Sequence, residues 1–254
     1  MTTPPSGPTS PDTHVDGAAA RLLGAFDSLI PCAPVRDLIG PDDVASAYRV
    51  QEQLVARRLA DGATVIGRKI GATSKAVQDQ LGVDQPDFGV LFDDMAYAES
   101  DTVPHTRLIQ PKVEAEVAFV LKQDLAEGPL DDSQIRDAVD YAVAALEIVD
   151  SRIVDWDITF GDTVADNASS GLFVLGTERR TLEEFEPVEV TMSMTIDGEE
   201  VSTGTGAACL GDPLKAVAWL ATQARQFGEP LRAGQVILSG ALGPMRQVRP
   251  GAVV

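Results

Sequence analysis

Pro111-Lys112-Val113-Glu114-Ala115-Glu116-Val117-Ala118-Phe119-Val120-Leu121 reads as a β-strand. β-Branched and aromatic residues dominate it, and no breaker follows Pro111. Strand side chains alternate between faces, so Glu114 and Glu116 point the same way, and Ala118 and Val120 continue that face as apolar. Neighbouring carboxylates on one face repel each other, and a solvated face would stay polar along its length. A hard divalent cation between the two acids accounts for the pattern. An exposed acidic edge in an acidic protein is the competing reading.

Downstream, Asp131-Asp132-Ser133 opens a helix expected to run to about Ala145, with Ile135, Ala138, Val139, Ala142 and Val143 as its apolar face. Leu146-Glu147-Ile148-Val149-Asp150-Ser151 then reads as a buried strand. Glu147 alone in a core would be costly. Together with Glu114 and Glu116 it makes three carboxylates from two strands, an oxygen set suited to Mg²⁺ or Mn²⁺.

Upstream, Val65-Ile66-Gly67-Arg68-Lys69-Ile70-Gly71 is a short strand bracketed by glycines that permit close approach of a backbone or ligand. A solvated edge Lys69 needs nothing further, whereas a buried one needs an anion or a lowered pKa. Asp87 falls in the segment Gly82–Gly89, where aspartate also serves ordinary turn chemistry. The stretch Asp162–Gly171 is small, polar and loop-like. It is consistent with a plain surface loop, and its hydroxyls and amide also suit a small polar ligand.

The 254 residues suffice for one large domain or a catalytic domain with a smaller helical one, and 44% are hydrophobic. Lys plus Arg total 20 against 39 Asp plus Glu, a formal charge of −19 that argues against nucleic acid or an anionic membrane as partner. A metal or lysine reverses that field inside one pocket, so a small anionic substrate remains compatible. Cys32 and Cys209 lie far apart with no zinc spacing, and His14 and His105 do not form a zinc set. With no apolar run long enough for a bilayer and no basic-then-apolar start, the expectation is a soluble cytoplasmic protein. Residues 1–17, rich in Pro, Ser, Thr and Gly, are expected to be a flexible tail. Residues 18–64 carry two helices, about Ala18–Ile30 and Pro41–Gly62, and residues 65–254 form the catalytic, β-rich part.

These segments together resemble the 2-keto-4-pentenoate hydratase (2-hydroxypenta-2,4-dienoate hydratase) family of the fumarylacetoacetate hydrolase superfamily. The resemblance runs through Pro34-Val-Arg-Asp-Leu-Ile-Gly40, Gly67-Arg-Lys-Ile-Gly71, Leu81-Gly-Val-Asp-Gln-Pro-Asp-Phe-Gly89 and Gln110-Pro-Lys-Val-Glu-Ala-Glu116. It continues through Ala145-Leu-Glu-Ile-Val-Asp-Ser-Arg152, Thr163-Val-Ala-Asp-Asn-Ala-Ser169 and Ile237-Leu-Ser-Gly-Ala-Leu-Gly-Pro-Met245. It implies an α+β fold with a mixed, rolled, barrel-like β core and the N-terminal helices beside it. It also implies Glu114, Glu116 and Glu147 as ligands of Mg²⁺ or Mn²⁺, and Lys69 and Asp87 as acid/base residues. Asn167, Ser169, Ser239 and Gly240 are expected beside the substrate, a small 2-oxo or 2-hydroxy acid. The implied activity is a hydro-lyase reaction in the meta-cleavage catabolism of aromatic compounds, carried out by a homo-oligomer. Two alternatives accompany it: 4-oxalocrotonate decarboxylase of the same superfamily, and a non-catalytic partner subunit. Family members run on past Arg249-Pro-Gly-Ala-Val-Val254 into another strand, so a short end is expected to weaken stability or assembly.

Overall fold

A computed structural model describes residues 11–75, 78 and 85–254. The sequence also leads to an expectation of a short helix over Ser74–Leu81; most of it and most of the turn before Asp87 lie outside the described residues, as do residues 1–10. Helices α1 (Pro11–Ser28), α2 (Arg36–Ile39) and α3 (Val44–Ala60) precede strand β1 (Val65–Gly71). Then follow β2 (Asp87–Phe92), β3 (Ala96–Ala98), β4 (Lys112–Leu121), α4 (Asp132–Ala138), β5 (Val139–Val149), α5 (Phe160–Ala165) and β6 (Ser170–Leu175). The chain closes with the hairpin β7 (Thr191–Ile196) and β8 (Glu199–Thr205), then α6 (Pro213–Gln226), β9 (Val236–Leu238) and β10 (Arg246–Gln247). Among the described residues no helix is long and apolar enough to cross a membrane.

Helix α1 begins at Pro11, inside the stretch expected to be a tail. Proline at a first helical position costs no hydrogen bond. Val15, Ala18, Ala19 and Leu22 then bury one face against Ala47, Val50, Phe160 and Val164 of α3 and α5. The Pro- and Thr-rich composition conceals that apolar stripe. Asp43 caps α3 by accepting from Ser46 N at 2.9 Å. The buried Asp162 carboxylate accepts from the main-chain N–H groups of Val35, Arg36 and Thr159, tying the α2 segment to α5. The stretch Asp162–Gly171, read as loop-like, instead comprises most of the buried helix α5, a 3₁₀ turn at Asn167–Ser169 and the start of β6.

The main sheet runs β2-β1-β9-β4-β5-β6-β3, with β10 also on β4. Between Ala138 and Ala145 the expected helix gives way to strand. Residues 139–149 pair antiparallel with β4 from Leu121↔Val139 to Lys112↔Val149. The β-branched Val139 and Val143 with Tyr141 suit a pleated surface, and ten ladder partners outweigh a helical period shared by the same residues. The expected barrel-like closure is also absent, since β2 and β3 stand at opposite ends of an open sheet. The outer edge of β2 meets a side chain instead of a strand. Asn167 Nδ2 donates to Val90 O at 3.0 Å, and Val90 N donates to Asn167 Oδ1 at 2.8 Å. That caps the edge without extending the ladder.

One sheet face carries Ile70, Phe88, Val117, Phe119 and Ile237, which pack with Ala216, Val217, Leu220, Ala221 and Ala224 of α6. Residues directly paired in a ladder share a face, so the opposite face follows from register. Lys69 pairs with Leu238, Leu238 with Ala118, and Gly71 with Asp87. Glu114 pairs with Glu147. Lys69, Asp87, Glu114, Glu116 and Glu147 therefore all project from the face away from α6.

Candidate metal centre

The three glutamates converge as expected. One carboxylate oxygen from each of Glu114, Glu116 and Glu147 lies within 4.8 Å of the others, and all three side chains are buried. Few of their acceptor sites are used. Glu116 Oε2 accepts from Gly240 N at 2.7 Å, while Glu116 Oε1 and both oxygens of Glu147 have no directed hydrogen bond. Buried carboxylate oxygens without donors are costly unless a cation or a proton joins them. The donor set is all oxygen, so these residues fit a hard divalent cation.

Lys69 is 3% exposed, and its Nζ forms an ion pair with Glu147 Oε1 at 3.3 Å. Burial works to discharge this lysine, but Glu147, Asp87, Glu114 and Glu116 together hold its pKa above the ordinary value. The acids shift the other way. Burial raises Glu114 and Asp87, and burial with repulsion from Glu147 and Glu114 raises Glu116 well above the carboxylate range. Burial pushes Glu147 up to about 7 against the pull of Lys69.

Asp87 opens β2 with Oδ1 unpartnered. Gly71, its ladder partner, allows the approach: a Cβ there would collide with Asp87 Oδ1 and lie 3.4 Å from Lys69 Nζ. The glycine bracket legible in the sequence thus seats Asp87 beside Lys69.

Of the four residues expected beside the substrate, Ser239 is fully buried with its Oγ lacking a hydrogen-bond partner. The Gly240 N–H is already directed at Glu116. Asn167 spends its amide on Val90, and Ser169 Oγ lies 3.1 Å from Thr163 Oγ1. Both side chains thus already have partners within the protein. Cys209 and Thr73 adjoin Gly240, and no spacing in the sequence pointed to either.

Residues 64–254 match the family model for the C-terminal part of fumarylacetoacetate hydrolase. The chain is 53% identical over 236 residues to a 2-keto-4-pentenoate hydratase of Paraburkholderia xenovorans, covering 93% of this chain and 88% of that one. The chain belongs to the 2-keto-4-pentenoate hydratase family. A second hydratase of that name, from Burkholderia vietnamiensis, is 52% identical over 240 residues, covering 94% of this chain and 92% of that one. Among solved structures, 4-oxalocrotonate decarboxylase from Pseudomonas putida G7, complexed with magnesium and adipate, superposes with a TM-score of 0.90. It is 32% identical, with 97% of this chain and 94% of that one covered. The family membership makes the chain a hydro-lyase enzyme, and the acid cluster offers an oxygen donor set that fits a divalent metal.

Proposed function

We propose that this chain is a hydro-lyase that adds water to 2-hydroxypenta-2,4-dienoate, giving 4-hydroxy-2-oxopentanoate in the meta-cleavage catabolism of aromatic compounds. The observation that carries the reading is one buried sheet face holding three carboxylates, two of them (Glu116 and Glu147) with orphaned oxygens, a charged lysine and an aspartate with a free Oδ1. It stands in a chain half identical to enzymes named for this reaction.

Glu114, Glu116 and Glu147 would hold Mg²⁺ or Mn²⁺. When bound, that ion supplies Lewis-acid stabilisation of charge on the substrate carboxylate and 2-oxygen. The rest of the chemistry is proton movement. A proton leaves the 2-hydroxyl and one arrives at C5, leaving C4 electron-poor; water then adds its hydroxyl at C4 and its proton at C3. Lys69, kept protonated by the surrounding acids, is the group able to deliver a proton. Asp87, with Oδ1 unpartnered and its basicity raised by burial, is the group able to accept one from the attacking water. The Ser239 hydroxyl is available to hold a substrate oxygen. The α6 side of the sheet is packed solid with apolar side chains, which directs substrate to the acidic face.

We also propose a cytoplasmic homo-oligomer. Phe26, Leu29, Ile30 and Leu59, between 43% and 67% exposed, support a subunit contact at the helical end.

The test uses metal-stripped protein and freshly generated 2-hydroxypenta-2,4-dienoate, followed by loss of its ultraviolet absorbance with and without Mg²⁺ or Mn²⁺. Metal-dependent loss yielding 4-hydroxy-2-oxopentanoate is the expected result. Carbon dioxide release from a dicarboxylic 2-oxo-enoate, without hydration of the dienoate, would move the assignment to the decarboxylase. No turnover by folded, metal-loaded protein on either substrate would move it to a partner subunit.

A further inference from the structure

We propose that Cys209 is a positioning residue for Glu116, acting through the backbone of Gly240, whose carbonyl it holds and whose N–H meets Glu116; the inference rests on Glu116 being a metal ligand. The turn after β9 is tied to β4 on both sides of that glutamate. Ser239 N donates to Val117 O at 3.2 Å, and Leu242 N donates to Ala115 O at 3.0 Å. Between these two bonds, the Gly240 N–H donates to Glu116 Oε2 at 2.7 Å.

Gly240 has φ +110°, where side-chain-bearing residues rarely rest and glycine is free to move. Its own backbone preference therefore does not aim that N–H, and neighbours must. Cys209, fully buried, supplies the contact: its Sγ donates to Gly240 O at 2.9 Å and also approaches Ala241 O at 3.5 Å. Thr73 closes the other side. A Cβ at Gly240 would run into the Thr73 side chain, whose Oγ1 is 4.0 Å from Cys209 Sγ, and Thr73 O accepts from Leu210 N at 3.1 Å. Three distant segments thus converge on Gly240: Cys209 holds its carbonyl, on the peptide that follows the one whose N–H meets the ligand oxygen, and Thr73 and β4 pack about the same turn. Glu116 Oε1 on β4 and Ser239 Oγ on the turn have no hydrogen-bond partner, which leaves them for metal and substrate. Burial pushes the thiol up to about 12, so it remains an S–H donor throughout the neutral range.

Donors behind a ligand fix its orientation, and losing one typically costs about 10- to 100-fold in metal affinity. The test titrates the full chain with Mg²⁺ and with Mn²⁺ by calorimetry in wild type, Cys209→Val and Cys209→Ser, with metal-free thermal unfolding followed in parallel. Cys209→Val keeps the volume and removes the donor, and the expected loss is about tenfold or more in metal affinity. Cys209→Ser keeps a hydroxyl able to donate to the Gly240 carbonyl and is expected to recover most of that loss. Should Cys209→Val fail to fold, Cys209→Ala takes its place against the serine variant. A valine or alanine variant that binds metal as tightly as wild type, whatever its melting temperature, overturns the proposal and leaves Cys209 a packing residue. Equal weakening in valine and serine variants overturns it too. Wild-type protein that binds neither metal overturns the metal centre itself, separately from the positioning argument.

Discussion

Replacing Lys69 by methionine separates proton transfer from metal holding. Lys69 is 3% exposed, with Nζ 3.3 Å from Glu147 Oε1, and its charge is the largest influence opposing the burial of that glutamate. Methionine keeps an unbranched apolar stem and removes the ammonium. If Lys69 moves protons, turnover falls by about 10²–10⁴, which is roughly 3–5 kcal/mol of barrier at about 1.36 kcal/mol per decade. Metal affinity moves the other way or stays level above neutral pH, because the ion no longer competes with an ammonium for Glu147. In the metal-free protein, removing one partner of a buried pair costs about 3–5 kcal/mol. Protonation of Glu147, already pushed up to about 7, relieves part of that cost. At about 2–4 °C per kcal/mol for a chain of this size, the unrelieved cost corresponds to roughly 6–20 °C in the metal-free melting temperature, and the Glu147 proton brings the drop below the upper figure. Metal at about 100 times its Kd returns about 2.7 kcal/mol. Dienoate turnover, metal calorimetry and thermal unfolding with and without chelator read the three quantities. Turnover within tenfold of wild type refutes the proton-transfer role. Metal affinity lost in proportion to turnover refutes the separation and makes Lys69 a support for the ligand set.

Gly71→Ala forces a methyl group into Asp87 Oδ1. A displacement of about 1 Å costs about 10²-fold in turnover, so kcat should fall while metal affinity stays within about threefold. Loss of metal binding of the same size would mean that the strand had shifted as a whole. Metal binding should strengthen from pH 6 to pH 8. Burial holds Glu147 at about 7, and a protonated carboxyl must release its proton to take metal. The sign for stability follows: a carboxyl raised in the folded state stabilises the metal-free protein at low pH, and that contribution is lost as pH rises through about 7. The melting-temperature gap between metal-loaded and chelated protein should widen over the same range, and a pH-independent gap contradicts the assignment. Asn167→Ala removes both bonds to the Val90 main chain and puts alanine at φ +53°. It should cost about 1–3 kcal/mol for the buried groups left unpaired, seen as a lower melting temperature with metal affinity unchanged. A variant that melts like wild type but binds substrate poorly would return Asn167 to the substrate.

Strand β4, the glycine bracket of β1 and the acid in β5 were legible along the chain, because each is a local pattern of alternation and side-chain type. The motif order carried the family. What misled were segments whose local signal competes with a long-range partner. Val139–Ala145 has a usable helical period, but its ladder to β4 is invisible to a window of a dozen residues. Pro11–Gly17 is poor in apolar residues, yet Val15 finds a pocket made by α3 and α5. Asn167 and Ser169 carry polar groups suited equally to a ligand or to the protein, and only the tertiary structure shows their internal partners, Val90 and Thr163.

The sequence by itself determined the residue types of the site, the strands of Lys69 and the three glutamates, and the family, whereas Asp87 read as a turn residue and opens β2. A carboxylate's chemistry and a strand's alternation need no tertiary partner to be read. Only the tertiary structure decided that Glu114 stands opposite Glu147, that Lys69 reaches the same face through Leu238 and Ala118, and that Cys209 clamps the turn holding Glu116. Register is a relation between distant segments, and a shift of one residue in any of these ladders would send a charged side chain through to the apolar face beneath α6.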